Sequence, residues 1–530
     1  MPNFRFITQF PSMKRLLILL GSSLLCCLVL SQPGTLDSTF AINGLAFTPS
    51  PNANLLYCED VIVQSDDKVI AIGRESQQNI LISFALVRYN ADGSLDPTFG
   101  TNGLVTTSLT GQDDRIAAVA LQLDGGIVVA GHTFEINSLW TGIVARYIPN
   151  GALDNSFGSG GIVDSLIQMP SSAASDVLIQ PDSMILVAGN ALDSSGMRGV
   201  FLTRIHVDGT PDPFFGTDGV VLLMDPQDTT NYLEKIALQP DGKILFAGVS
   251  SITGGNGRLM VKRFLDNGQI DTTFSGTGTY LGPLTNISSI FAGIALQSSG
   301  KIIATCNDLG DIVTYQLEPT GLLDTTFGTN GIASVTILGG GAMGYDLHLQ
   351  PDGKILVAGE WGGIPNQQTV LFRLDQTGFL DPTFGSNGIV LSLYTNYTQT
   401  WRGVDQQADG KIVVGGFTFI GSGKIVVARL LNEPLSVGLS GERMQSQGIR
   451  SHPNPSYGRV WLNYTIDPPS SVEIHLYNMS GVKLRTIISD VRPRSGVYCE
   501  QVDFEGLAPG VYIVSLITNT GRTYLKHVKR

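Results

Sequence analysis

Charge and reactive side chains are scarce in this 530-residue chain. Asp, Glu, Lys and Arg make up only 15% of it, and there are six His, five Cys and four Trp. Cys26 and Cys27 fall in an N-terminal apolar run, which leaves Cys58, Cys306 and Cys499. Three scattered cysteines do not make a disulfide framework, even in an oxidising compartment. No Cys-x-x-Cys pair and no Cys/His spacing suited to zinc occurs. His-Glu-x-x-His, Gly-x-Ser-x-Gly and a phosphate-binding loop are also missing. No catalytic residue and no metal centre is therefore assigned.

The composition that remains is 42% hydrophobic, with 63 Gly. That excludes disorder and suits many short strands joined by frequent turns. Net charge is −12. Residues 1–31 read as a secretory signal, with basic Lys14 and Arg15, an apolar stretch from Leu16 to Leu30, and small residues before Gln32. The stretch is short for a span of ~20 residues, so no transmembrane span is expected after cleavage. Losing Arg5, Lys14 and Arg15 takes the chain to −15, and the last eighty residues carry +3, which leaves the middle near −18. Such a surface repels nucleic acid and anionic polymers at long range. It is compatible with cations, neutral glycans or basic proteins, and equally with a plain solvated extracellular surface.

Two phrases recur. One is Leu349-Gln350-Pro351-Asp352-Gly353-Lys354 followed by Ile355 to Gly359, with a close copy from Leu238 to Ile244. Pro fixes φ and lacks an N–H, and Asp-Gly tolerates positive φ, so this is two strands joined by a tight turn. Its second strand is continuously apolar, as a strand buried on both faces must be. The other phrase is Gly93-Ser94-Leu95-Asp96-Pro97-Thr98-Phe99-Gly100, with relatives starting at Gly34, Gly151, Gly209, Gly268, Gly321 and Gly378. Seven units 53 to 59 residues apart, each with about four strand candidates, predict a seven-bladed β-propeller over residues 32–431. Unit five departs from the pattern: it has Gln297-Ser298-Ser299-Gly300 in the turn and Thr305-Cys306 where other units have Ala-Gly.

These units resemble the bacterial delta-60 repeat family, which implies a repeat surface protein without implying a reaction. After a polar linker, 432–450, alternating β patterns over 451–530 predict a small C-terminal β-sandwich, Ig-like in size and pattern. Pro453-Asn454-Pro455, then Gly506-Leu507-Ala508-Pro509-Gly510-Val511-Tyr512, then a closing basic strand with Lys526, Lys529 and Arg530, resemble the type A C-terminal sorting domain of the type IX secretion system. That resemblance implies the secretion machinery as a partner of residues 451–530 and an extracellular or outer-membrane-surface location.

The Asp of each Leu-Asp-x-Thr-Phe phrase recurs in every unit and reads as a structural cap. Calcium is the alternative at Asp92, Asp96, Asp266 and Asp271, which sit around a Gly as in calcium loops but lack a completing Glu. An Arg before each unit boundary (Arg88, Arg146, Arg204, Arg263, Arg373 and Arg429, with Gln316 in unit five) is expected to tie neighbouring units. Trp140, Trp361 and Trp401 break the repeat and are the candidate ligand-binding residues. The expected function is a secreted or cell-surface binding or adhesion module for a glycan or surface protein, non-catalytic and without a cofactor. The alternatives are a polysaccharide-acting enzyme with carboxylates in the propeller channel and a structural surface-layer component.

Overall fold

The structure is a computed structural model. It describes residues 32–432 apart from loop segments at 52–53, 78–80, 110–112, 135–138, 165, 225–229, 252–256, 285–292, 338–340, 363–366, 392–398 and 420–422. It also describes 450–529 apart from 453–458, 467–469, 479–482, 493–495, 505–506, 508–509 and 519–520. The chain divides into two compact units, Met1–Ser436 and Val437–Arg530.

The first unit is seven four-stranded antiparallel groups, joined between the first two only by a single parallel bridge, Ile82 to Asp113. The first strands are Leu55–Val63, Asp113–Leu121, Ser171–Ile179, Thr230–Leu238, Gly293–Leu296, Ala342–Leu349 and Gln399–Gln406. Each touches the first strands on both sides, and the cycle closes from the seventh to the first. These strands therefore line a central channel, and the groups are blades 1 to 7.

The blades are out of phase with the sequence units by one strand. Gln399–Gln406, Ile412–Thr418 and Lys424–Leu430 take their outermost strand from the start of the chain, Leu45–Pro49. The ring is thus fastened by backbone pairing, continued by Gly34 N–H to Leu431 O (2.6 Å) and Asp37 N–H to Arg429 O (2.8 Å). A strand from one terminus completes the sheet of the other, so Lys424–Leu430 is paired on both sides and Leu45–Pro49 forms the outer edge.

Apolar side chains cluster at the seven blade-to-blade interfaces. The second strands, such as Ile127–Phe134, are buried on both faces, as their unbroken apolar sequence requires. The recurring Arg is the polar counterpart of that packing. Arg88 Nε donates to Asp96 of its own blade at 2.8 Å, its Nη1 donates to the Pro149 carbonyl of the next blade, and its guanidinium lies 4.5 Å over the buried Phe99 ring. Arg204 repeats this with Asp212 at 2.7 Å and the Asp266 carbonyl at 2.6 Å. Arg263 does so with Asp271 at 2.8 Å and the Pro319 carbonyl at 2.6 Å. In blade 5 Lys301 takes over, 2.6 Å from Asp324, while Gln316 bonds Gln297.

The second unit has two antiparallel sheets. Arg459–Ile466 lies between Arg450–His452 and Gly496–Asp503, and the other sheet runs Lys483–Arg492, Ser470–Asn478, Gly510–Thr518, Gly521–Lys529. One core draws on both, including Val460, Leu462 and Val502 from the first and Ile474, Val514 and Leu516 from the second. Tyr512 is buried in it, Leu507 packs against it, and Lys529 Nζ donates to the Leu507 carbonyl. Gly510 opens its strand and Lys526 lies in the last one. Pro453, Asn454, Pro455, Gly506, Pro509 and Arg530 lie outside the described residues.

Arg373 is 1% exposed and pairs with Asp381 at 2.9 Å and with Asn432 Oδ1 at 2.6 Å. Removing one partner of a buried pair costs ~3–5 kcal/mol. Lys354 remains 3.2 Å from Asp381, so Arg373→Ala is expected at the lower end, about 3 kcal/mol. Lys354→Ala, at a half-exposed site, should cost under about 1 kcal/mol. Denaturant titration of both variants checks the ordering.

Candidate functional site

Strand direction sorts the loops. The Gln-Pro-Asp-Gly turns with their variants and the Leu-Asp-x-Thr-Phe-Gly turns fall at one end of the channel, the lower face. The loops between second and third strands, and those from one blade to the next, fall at the other. Unit-specific residues therefore collect on the upper face.

A bulge aims them inward. Pairing of the first and second strands slips at Cys58/Asp60, Ile116/Ala118, Ala174/Asp176, Leu233/Lys235, Gly344/Asp346 and Trp401/Gly403. A Gly of the second strand, which closes the Ala-Gly phrase in blades 2, 3, 4 and 6 and follows Ile72 in blade 1 and Gly415 in blade 7, faces the slip. A Cβ at Gly73 would lie 2.0 Å from the Tyr57 carbonyl oxygen, and one at Gly359 equally close to that of Met343. No other residue fits there. The extra residue bends the strand and turns a side chain into the channel.

Bulged and neighbouring residues line a cavity of about 370 Å³ at the channel mouth. Glu59 and Arg74 come from blade 1, Arg115 and His132 from blade 2, Ser175 and Asn190 from blade 3, Lys235 from blade 4, Tyr345 from blade 6 and Arg402 from blade 7. Arg74 Nη1 is 2.5 Å from Glu59 Oε1, and Arg115 makes two 2.8 Å bonds to Asp113. The Arg402 guanidinium lies 3.8 Å above the Tyr345 ring. Burial, with help from Arg115, lowers His132 to about 4, so its imidazole is neutral at pH 7. Burial pushes the Tyr345 hydroxyl up.

Asp60, Asp176 and Asp346 follow the bulges of blades 1, 3 and 6, and Lys235 that of blade 4, 4.0 Å from Asp176. Burial, reinforced by Asp346 and Asp176 against Lys235, raises Asp60 to about 8. Burial raises Asp176 and Asp346 as well. Two of these carboxylates also staple blades: Asp176 accepts Ile236 N–H at 2.7 Å and Asp346 accepts Val404 N–H at 2.9 Å.

The three Trp residues share the upper half of the blades but not one environment. Trp401 is 3% exposed and packed between blades 6 and 7, so it is a core residue and not a ligand anchor. Trp361 is half-buried against the core between blades 5 and 6. Trp140 alone lines a groove, one of about 290 Å³ between blades 2 and 3. Of the residues weighed for calcium, Asp96, Asp271 and Asp92 have their carboxylates engaged within the repeats. Asp96 is held by Arg88 and Lys68, and Asp271 by Arg263 and Lys243, while their second oxygens cap Thr98 and Thr273. Asp92 caps Ser94, and Asp266 lends its carbonyl to Arg204. Among the described residues no group of three or more His, Cys, Asp or Glu is placed to hold a metal ion.

The cavity residues escaped sequence reasoning, although a signal was present. Glu59, Ala117, Ser175, Tyr345 and Arg402 each stand five residues before the Gln that opens the turn phrase. That column varies from unit to unit inside an otherwise repeated frame. The local charge also departs from the whole: the mouth of a chain with net charge −12 carries Arg74, Arg115, Lys235 and Arg402.

The family described as domain of unknown function (DUF5122) beta-propeller matches residues 64–99, 122–157, 180–215, 239–274, 350–384 and 407–433. The secretion system C-terminal sorting domain matches 451–530. The chain carries DUF5122 beta-propeller repeats followed by a sorting tail. The family matches six segments against the seven sheets of the ring, and the unmatched one is blade 5, where Gln316 replaces the tying Arg. The sorting tail makes it an exported protein, extracellular or at the cell surface, that engages the type IX machinery through 451–530. Among the described residues no helix is long and apolar enough to cross a membrane.

Comparison with curated protein sequences finds none that matches. Among solved structures, a catalytically inactive virginiamycin B lyase from Staphylococcus aureus is 13% identical, covering 72% of this chain and 98% of its own, with a TM-score of 0.43. The polysaccharide lyase Uly1 is 11% identical, covering 75% and 99%, with a TM-score of 0.44. A protein of unknown function from Dyadobacter fermentans is 10% identical, covering 74% and 100%, at 0.39. At these scores no activity passes from any of them to this chain.

The carboxylates give the pH profile two limbs. A folded-state pKa raised above the unfolded value of ~3.9 contributes stability present below that value and lost as pH rises towards the folded one. Asp60 therefore makes the propeller less stable at pH 8.5 than at pH 5.5. Asp60→Asn should flatten this limb and gain on the order of 1 kcal/mol or more at pH 8.5. At Asp381, burial is outweighed by hydrogen bonds from Thr383 and by Lys354, which hold it near 2. Its contribution is lost as pH falls below ~4. Denaturant melts from pH 3 to 9 on both proteins read the two limbs.

Proposed function

We propose that the propeller is a non-catalytic extracellular binding module that takes an acidic ligand at the upper mouth of its channel. The observation that carries this reading is the convergence of Arg74, Arg115, Lys235 and Arg402, from blades 1, 2, 4 and 7, on one cavity. None of the four belongs to the repeated phrases, so the fold does not need them at these positions. Arg74 and Arg115 are held by Glu59 and Asp113, which orients the guanidinium groups before a ligand arrives and lowers the cost of binding. Long-range repulsion from the negative surface is screened over ~8 Å at physiological salt, whereas contacts in the mouth are short.

A second reading has one observation in its favour. Asp60 is held protonated around neutral pH beside Asp176 and Asp346, and a carboxylic acid kept neutral is what general-acid hydrolysis requires. Against it, Asp176 and Asp346 are engaged by backbone N–H groups of neighbouring blades.

The test incubates the mature protein with acidic and neutral polysaccharides and reads both retention and newly formed chain ends. Retention of acidic polymers alone, without new ends and weakened at 0.5 M salt, is expected. Arg402→Ala should weaken it about 10-fold or more, since a hydrogen bond to a charged group contributes ~1.5–3 kcal/mol. New chain ends that disappear in Asp60→Asn would establish the enzymatic reading instead.

A further inference from the structure

We propose that the ligand is a linear acidic polysaccharide, with one acidic residue in the channel mouth and the adjoining sugar ring in the groove between blades 2 and 3, against Trp140. This rests on the acidic-ligand reading above and adds the shape of the ligand to it. The groove of about 290 Å³ and the channel cavity of about 370 Å³ share Ala173 and Asn190 in their walls, so they are adjoining parts of one depression. Either alone lies near the bottom of the ~300–1,000 Å³ range of ligand pockets. A ligand filling both must be extended.

Trp140 stands at the junction. It opens the third strand of blade 2, on the upper face, and its indole is braced by His132 (centroids 4.5 Å apart, rings at 86°) and Phe134 (4.8 Å). Arg115, a wall of the channel cavity, lies 5.5 Å over the same ring. The aromatic surface and the nearest channel cation are thus fixed side by side. Along the groove the indole is accompanied by Ser171, Ser172, Asn190 and exposed Arg198. A pyranose offers both halves of the match: an apolar C–H face for the negative face of an indole, and a rim of hydroxyls for side-chain hydroxyl, amide and guanidinium groups. The uronate or sulfate of the next ring then reaches Arg115, Arg402 and Lys235. The acidic group places one ring, and Trp140 sets the direction in which the chain leaves the mouth.

The experiment measures affinity of the full mature protein for oligogalacturonates of one to six residues, by calorimetry and by tryptophan fluorescence. Wild-type affinity should rise at least 10-fold from one residue to three and then level off. Trp140→Ala should remove that gain, and Arg402→Ala should lower affinity at every length. Arg198→Glu, on the exposed side of the groove, serves as a second variant that leaves the braced aromatic cluster intact, and it too should reduce the gain with length. Equal affinity at all lengths would overturn the extended site and leave the acidic-ligand reading standing. Binding of oligoglutamate in preference to every saccharide would overturn the polysaccharide. Failure to bind any anion, at 50 mM or 150 mM salt, would overturn both.

Discussion

Every blade boundary but one depends on an arginine that reaches in two directions at once. One side of the guanidinium meets the Asp of its own blade, and the other meets a carbonyl at the turn of the next. Beneath it lies a buried Phe ring, 4.5 to 5.1 Å from the guanidinium carbon. A planar fork with five fixed donors can do this and an ammonium cannot. Where Gln316 stands instead, Lys301 neutralises Asp324, and the cross-blade bond of the arginine is not made. The apolar clusters supply most of the cohesion between blades, but they have no direction. The arginine supplies register, and register is what lets the last blade meet the first strand of the chain closely enough to share a sheet.

The scaffold divides its labour between two faces. Repeated residues build the lower face, so it carries caps, turns and ties and little that differs from blade to blade. The glycine of the second strand that faces the slip does a second job. By leaving room for a carbonyl, it permits a bulge in the strand beside it, and the bulge turns whatever residue lies there into the channel. The same device presents Glu59, Ser175, Tyr345 and Arg402 in turn. A ring of interchangeable positions on a rigid frame is a general way to build a site without altering the fold.

Local electrostatics then override the average. With net charge −12 the chain as a whole is anionic, yet the channel mouth gathers cations, and the floor beneath it gathers carboxylates whose pKa burial raises. Net charge governs behaviour over distances beyond the screening length, and side-chain placement governs it within a few ångströms.

The sequence by itself determined the β class, the repeat architecture and the export tail, because each is written in local chemistry. A Pro-Asp-Gly corner makes a turn wherever it stands, and an apolar run between turns makes a buried strand. It also foretold that the recurring arginines tie units together, since a repeated buried charge needs a repeated partner. Phase was another matter: whether Leu45–Pro49 pairs with the strands after it or with Lys424–Leu430 depends on ring closure, which no local pattern encodes. The fate of the tryptophans was likewise decided in three dimensions. Trp401 and Trp140 look alike as departures from the repeat, but one faces the packed interface of two blades and the other a groove. The channel site was beyond sequence reasoning for the same reason. Its residues lie as much as 343 positions apart, from Glu59 to Arg402, and only the closed ring, with a bulge in one strand after another, brings them to a single cavity.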